Sequence, residues 1–103
     1  MAHEAGDFDA TLAAAAGEDL ALLAELRAAF VESLAQQVDL LRRARCDGNW
    51  EVAALRLQGL GSSYRAPELV ALADEALDGA PGEPAVIRKL VALCDRFAAR
   101  HAG

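Results

Sequence analysis

Aromatic residues are scarce in this chain, making up 5% of its 103 residues. Hydrophobic residues nevertheless account for 54% of the sequence, and most of them are alanine and leucine, which are good helix formers. A β-sandwich needs many more β-branched and aromatic side chains, so this composition argues against an all-β protein and predicts an all-α one. The length suits one compact domain over residues 1–103.

Basic residues are also few. Ten lysines and arginines stand against sixteen aspartates and glutamates, which gives a net charge of −6. Binding to nucleic acid requires a basic stripe that neutralises phosphates, so we expect no nucleic-acid partner. The one dense basic cluster is Arg42, Arg43 and Arg45. These arginines either stabilise the C-terminal end of a helix through its dipole or contact an acidic partner.

Cysteines are limited to Cys46 and Cys94, and neither has metal-ligand spacing around it. Two cysteines could in principle form a disulfide, but no secretory signal precedes them, so we expect two reduced thiols, no metal and no cofactor. Cys94 falls on a predicted core stripe, where it would act as a small buried hydrophobe. Long apolar runs are absent too, because charged residues interrupt the most hydrophobic region. We therefore expect a soluble, cytoplasmic protein with no membrane partner.

Turn signals divide the chain into five segments with helical patterns. The first, GDFDATLAAAAGED, opens with aspartates suited to capping and closes at Gly17, which predicts a short helix. The second runs without proline or glycine from about Asp19 to Arg45. Apart from one skipped turn near Leu26, its apolar residues recur at spacings of three and four and predict a long amphipathic helix. The inward stripe of that helix is Leu20, Leu23, Phe30, Leu34, Val38 and Leu41.

Three further helices are predicted beyond the CDGN turn, in which Asp47 or Asn49 could cap the third helix, over about residues 50–64. Pro67 suits the first turn of the fourth helix, and Pro84 opens the fifth after the loop DGAPGEP. Their predicted inner faces are Leu69, Leu72, Ala73, Ala76 and Leu77, and then Ile87, Leu90, Val91, Cys94, Phe97 and Ala98. One short helix followed by four longer ones predicts an antiparallel four-helix bundle with a short N-terminal capping helix.

One leucine of the third helix lies out of phase with its apolar neighbours. The predicted buried band is Trp50, Ala53, Ala54, Leu57, Gly61 and Tyr64. At about 100° per residue, Leu55 lies about 160° from the centre of that band and should face outward. The surrounding outward residues are Glu51, Val52, Arg56, Gln58, Gly59 and Ser62.

Gly59, one turn after Leu55, costs the helix roughly 1 kcal/mol against alanine. Either a partner approaches closely there, or the glycine lets a neighbouring helix of the same chain pack. Isolated exposed leucines are common on protein surfaces, so Leu55 alone does not decide between these readings.

Ala54, Leu57, Gly59, Ala66 and Leu69 match, in order and spacing, a known signature. The segment resembles the signature helix of histidine-containing phosphotransfer (HPt) domains of bacterial two-component phosphorelays. That signature comprises a small residue, the phosphorylated histidine, any residue, leucine, lysine, glycine and two small residues, and then a glycine-alanine pair before a leucine. GEDLALLAELRAAFVESL also resembles the family's second helix, and the resemblance extends from about Phe8 to Phe97.

The sequence departs from this family at the residues that carry its chemistry. Leu55 stands at the position of the phosphorylated histidine, Gln58 at that of the lysine, and Arg65 where a glycine usually precedes the alanine. Leucine has no nucleophilic nitrogen to accept a phosphoryl group. Gln58 has no positive charge to steady the phosphoryl oxygens. The two histidines, His3 and His101, lie at the termini, so we expect no relay chemistry at this site and no enzyme.

Three functions are left open. The resemblance implies an HPt-like protein that binds a receiver domain or a histidine kinase through the surface around Leu55 without accepting phosphate. Alternatively, the Val52–Leu55 patch pairs with a second copy across a two-fold axis, which would make a homodimer. A third possibility is a working phosphorelay carrier whose acceptor lies elsewhere.

Overall fold

The computed structural model describes residues 2–102, with the side chains of residues 6–100. This part of the chain forms five α-helices and contains no β-strand, which confirms the all-α prediction. The helices are α1 (Ala2–Ala16), α2 (Leu20–Arg43), α3 (Asp47–Ser63), α4 (Pro67–Asp78) and α5 (Pro84–Ala102). None of these helices is long and apolar enough to cross a membrane.

The boundaries of α2 follow the predicted signals. The Asp19 carboxylate accepts a hydrogen bond from the backbone N–H of Leu22 at 3.1 Å and so caps the helix. Arg42 and Arg43 lie in the last turn, where positive charge suits the helix dipole. Arg45 lies beyond the end of the helix, which stops two residues earlier than predicted.

The start of α1 and the cap of α3 differ from the predictions. α1 ends before Gly17, which has a φ of 64°, but it begins at Ala2 rather than at the aspartates. With 15 residues it is longer than α4, which has 12, so the prediction of a short first helix is wrong. Asp47 and Asn49 lie within α3, and the N-cap residue, Cys46, makes no side-chain capping bond. The alanines and the glutamate before Gly6 are good helix formers, and α1 continues through Gly6 despite the low helix propensity of glycine.

The helices share one hydrophobic core. α2 packs on α3 and α5, α4 packs on the same two helices, and α1 packs on α2. Phe8 of α1 places its ring 4.7 Å from that of Phe30 and 4.9 Å from that of Phe97. Tyr64 completes this aromatic cluster, with its ring 4.9 Å from Phe30. Four of the five aromatic residues of the chain are thus gathered where α1, α2, α5 and the end of α3 meet.

The buried face of α5 differs from the predicted one. Its buried hydrophobic residues are Val86, Leu90, Leu93 and Phe97. Ile87, Val91 and Cys94 are only half-buried, and Ala98 is exposed. Apolar residues cover a wide arc of this helix, so periodicity alone does not decide which edge of the arc meets the core. Leu20, predicted to be inward, is also exposed, because it begins α2 beyond the end of the core.

The predicted inner faces of α3 and α4 are confirmed apart from Tyr64 and Leu77, which are half-buried. The side chain of Trp50 is 3% exposed, and its indole N–H donates to the backbone oxygen of Ala76 at 2.7 Å. This hydrogen bond joins the first turn of α3 to the last turn of α4 within the core, where an unpaired indole N–H would be costly.

We expect Trp50→Phe to lower the free energy of unfolding by about 2 kcal/mol, because the substitution loses a buried hydrogen bond and leaves a small cavity. Urea unfolding followed by circular dichroism measures this change. Leu55→Ala is the control, and its effect should stay within about 0.5 kcal/mol because the side chain is exposed. Equal effects of the two substitutions would contradict the assigned burial.

Candidate functional site

The outer face of α3 consists of Glu51, Val52, Leu55, Arg56, Gln58, Gly59 and Ser62. Val52 and Leu55 are each 47% exposed, although both are large hydrophobic residues. The other residues of this face are exposed, apart from Gln58, which is half-buried. The outward orientation of Leu55 predicted from helical phase is therefore confirmed. This face presents an apolar centre with a charged and polar surround.

Gly59 is not required for packing within the chain. A Cβ atom built at Gly59 meets no side chain and no neighbouring helix within 4 Å. The reading in which this glycine lets another helix approach is therefore wrong. No contact among the described residues offsets the free energy that this glycine costs the helix.

Gly61, two residues later, has the opposite environment. A Cβ at this position would lie 2.9 Å from Cγ2 of Val70 and 3.0 Å from the backbone nitrogen of Val70. Since a backbone atom cannot move aside cheaply, Gly61 is the residue that lets α3 and α4 approach each other. Gly61 thus allows the contact between α3 and α4, whereas Gly59 lies on the outer face of α3.

We expect Gly59→Ala to raise the free energy of unfolding by about 0.5–1 kcal/mol, because alanine is the better helix former and the site is open. Gly61→Ala should lower it by about 1–3 kcal/mol through the clash with Val70. Urea denaturation of the two variants measures both changes. The pair is its own control, since each variant adds one methyl group to the same helix. A destabilising Gly59→Ala would show that the face is packed.

Gln58 is held at the edge of the outer face. Its side-chain amide donates to Oδ1 of Asp74 in α4 at 2.5 Å. This contact was not predicted, because the sequence gives no sign that residues sixteen positions apart meet across two helices. The amide provides no positive charge beside Leu55, and its hydrogen-bonding capacity is directed towards α4.

A shallow groove of about 560 Å³ adjoins this face between α3 and α4. Ser62 belongs both to the outer face and to the groove, and Arg65 and Asp74 also line it. Arg65 has a φ of 56°, in the left-handed region that favours glycine. The backbone is thus strained for an arginine at the position where the phosphotransfer signature usually has glycine.

Candidate metal-ligating side chains do not cluster among the described residues. No group of three or more histidine, cysteine, aspartate and glutamate side chains within residues 6–100 is arranged to hold a metal ion. The side chains of His3 and His101 lie outside the described ones. Leu55, at the centre of the face, has no atom that can act as a nucleophile.

The two cysteines are free thiols in different environments. Cys46 is exposed between α2 and α3, whereas Cys94 is half-buried against the core. Burial, with a smaller contribution from the charge of Asp95, raises the pKa of Cys94 to about 11. Its thiol therefore stays protonated and unreactive near neutral pH. The predicted role of Cys94 as a small core hydrophobe is only partly met.

Comparison with known proteins found no matching family model, no similar curated protein and no similar solved structure. The phosphotransfer resemblance accordingly rests on the residues of the signature alone.

Proposed function

We propose that this chain is a phosphotransfer-like docking domain that binds a receiver domain or a histidine kinase without accepting phosphate. The outer face of α3 is the binding surface, and Leu55 is its anchor. The observation that carries this proposal is an exposed leucine at the position of the phosphorylated histidine, one turn before a glycine that no contact within the chain requires.

The proposed architecture is an antiparallel four-helix bundle of α2 to α5 with α1 packed against it. Contacts run from α2 to α3, from α3 to α4, from α4 to α5 and from α5 back to α2, as a closed bundle requires. The connections are short, with residues 44–46, 64–66 and 79–83 joining successive helices. Short connections favour antiparallel neighbours.

The backbone at Arg65 supports the register in which the signature is matched. The resemblance implies a glycine there, and the left-handed φ of this residue is a conformation that glycine adopts most readily. Gly59, matched to the signature glycine, leaves open space on the outer face rather than serving the core. Both positions are matched to signature glycines from the sequence. Arg65 has the backbone conformation that glycine adopts, and Gly59 has open space beside it.

The chemistry of the face favours binding over transfer. A phosphorelay step needs a nucleophilic nitrogen and a nearby cation, and Leu55 and Gln58 provide neither. Leu55 and Val52 instead offer apolar surface that a partner can bury, with the polar residues of the face around it. A buried apolar anchor within a polar rim is the usual arrangement of an interface hot spot.

We expect Leu55→Asp to weaken binding to a cognate receiver or kinase domain by at least about tenfold, because a carboxylate would be buried against an apolar contact. Isothermal titration against candidate receiver and kinase domains measures the change. Leu22→Asp is the matched control, since Leu22 is an exposed leucine of α2, away from the outer face of α3. Unchanged binding by Leu55→Asp, or an equal loss with Leu22→Asp, would exclude Leu55 as the anchor.

Phosphotransfer should be absent from the wild-type chain and recoverable by substitution. Leu55→His with Gln58→Lys places an imidazole on the exposed face and a cation beside it, so we expect acid-labile label after incubation with a phosphorylated cognate receiver. Leu55→His with Gln58 retained separates the contribution of the cation. Labelling of the wild type would contradict the proposal and point to a working carrier with another acceptor. No label on a folded, receiver-binding double variant would contradict the register.

A second candidate function is two-fold self-association through Val52 and Leu55. The exposure of both residues on one face favours it, because pairing would bury them together. Sedimentation of the wild type and of Leu55→Asp, each without any partner protein, distinguishes the two functions. Only two-fold self-association predicts a wild-type homodimer that Leu55→Asp disrupts.

A further inference from the structure

We propose that the chain also associates head to tail, with the N-terminal tip of α2 of one copy seated in a groove between α2 and α5 of the next. The α2 tip is the segment from Glu18 to Ala24. The α2/α5 groove is lined by Arg42, Ile87, Arg88, Val91, Ala92 and Asp95. This contact is separate from the outer face of α3 and does not depend on the function proposed above.

The α2 tip is an exposed apolar projection with acidic flanks. Leu20 is 79% exposed, the highest value among the large hydrophobic residues described as exposed. Ala21 and Ala24 beside it are exposed as well. Glu18 and Asp19 precede the leucine, and residues 10–26 contain no basic residue. The tip therefore fits a surface that is apolar in its floor and positive at its rim.

The α2/α5 groove has that composition. It is a shallow, open depression of about 510 Å³, and the half-buried side chains of Ile87 and Val91 contribute to its apolar lining. Arg42 from α2 and Arg88 from α5 are exposed and line the same groove. Neither arginine forms an ion pair with another described residue.

The free arginines are notable because carboxylates are abundant in this chain. Other cations of α5 are neutralised: Lys89 pairs with Glu75, Arg96 with Glu68 and Arg100 with Asp9. Arg45, Arg56 and Arg65 also form no ion pair with a described residue. Arg42 and Arg88, however, line the same groove and together give it positive charge on a protein of net charge −6. Such a local site attracts an acidic surface even when the whole molecule is negative.

The proposed contact places Leu20 against Ile87 and Val91, with Glu18 near Arg42 and Arg88. Asp95 is the one acidic residue lining the groove, and it repels the carboxylates of the tip. The acidic flank therefore lies towards the arginines and away from Asp95, which defines one orientation. Apolar contact supplies attraction and the charges supply direction.

A tip cannot reach the groove of its own chain. Leu20 and Arg42 lie 22 residues apart on one continuous helix, a separation of about 33 Å at 1.5 Å per residue. The contact is therefore between copies and joins two different surfaces. In the proposed head-to-tail arrangement each pair of copies makes this contact once, which leaves one tip and one groove free and so builds rings or open chains. The tip is small, so the association should be weak and visible only at high concentration.

Sedimentation equilibrium of the whole chain, from about 10 μM to about 1 mM, tests the proposal in this range of weak affinities. We expect the average mass of the wild type to rise with concentration. Leu20→Asp, which alters the tip, and Arg42→Glu with Arg88→Glu, which alters the groove, should each weaken association by at least about tenfold. All three side chains are exposed, so circular dichroism should show unchanged folding.

Mixing the two variants gives the decisive result. The tip variant keeps its groove and the groove variant keeps its tip, so the mixture should form a one-to-one dimer and grow no further. Arg45→Glu with Arg65→Glu is the charge-matched control outside both the groove and the outer face of α3, and it should associate as the wild type does. Leu55→Asp reports separately on pairing through the outer face of α3.

A wild type that stays monomeric at about 1 mM would overturn the proposal. It would also be overturned if the mixture failed to form the dimer, or if association were lost in Leu55→Asp instead, which would indicate pairing through α3. None of these results bears on receiver or kinase binding, because those titrations use the outer face of α3 and low protein concentrations.

Discussion

The close approach of α3 and α4 fixes the orientation on which the rest of the surface depends. Gly61 leaves room for the backbone of Val70, and Trp50 donates a buried hydrogen bond to Ala76 at the other end of the same contact. Two restraints more than two turns apart allow α3 only one rotation about its axis. With that rotation set, Gly59 and Leu55 must face away from the core.

The surface that results has exposed apolar side chains at its centre. The outer face of α3 exposes Val52 and Leu55 in a chain whose other apolar residues mostly reach the core. At the two ends of α2, an apolar, acidic tip and a groove with free arginines are exposed as well. In the proposals above, the outer face of α3 binds a receiver domain, a histidine kinase or a second copy. The tip and the groove bind each other in successive copies.

Much of the fold was predictable because its signals are local. Asp19 and Pro67 mark helix starts through hydrogen bonding and ring geometry that act within one turn. The predicted start of α1 is wrong, because the aspartates have the side chains of helix caps although helix-forming residues precede them. The apolar arc of α5 is wide, so periodicity predicts the wrong face, and contact with α2 and α4 selects which edge of the arc meets the core.

The sequence by itself determined the all-helical class, most helix boundaries and the outward phase of Leu55, since each follows from spacing along one helix. Only the tertiary structure decided which glycine serves packing, that Gln58 binds Asp74, and that Arg65 holds a left-handed backbone. It also brought Arg42 and Arg88 into one groove. These features depend on residues far apart in the chain, and helical periodicity contains no information about which helices become neighbours.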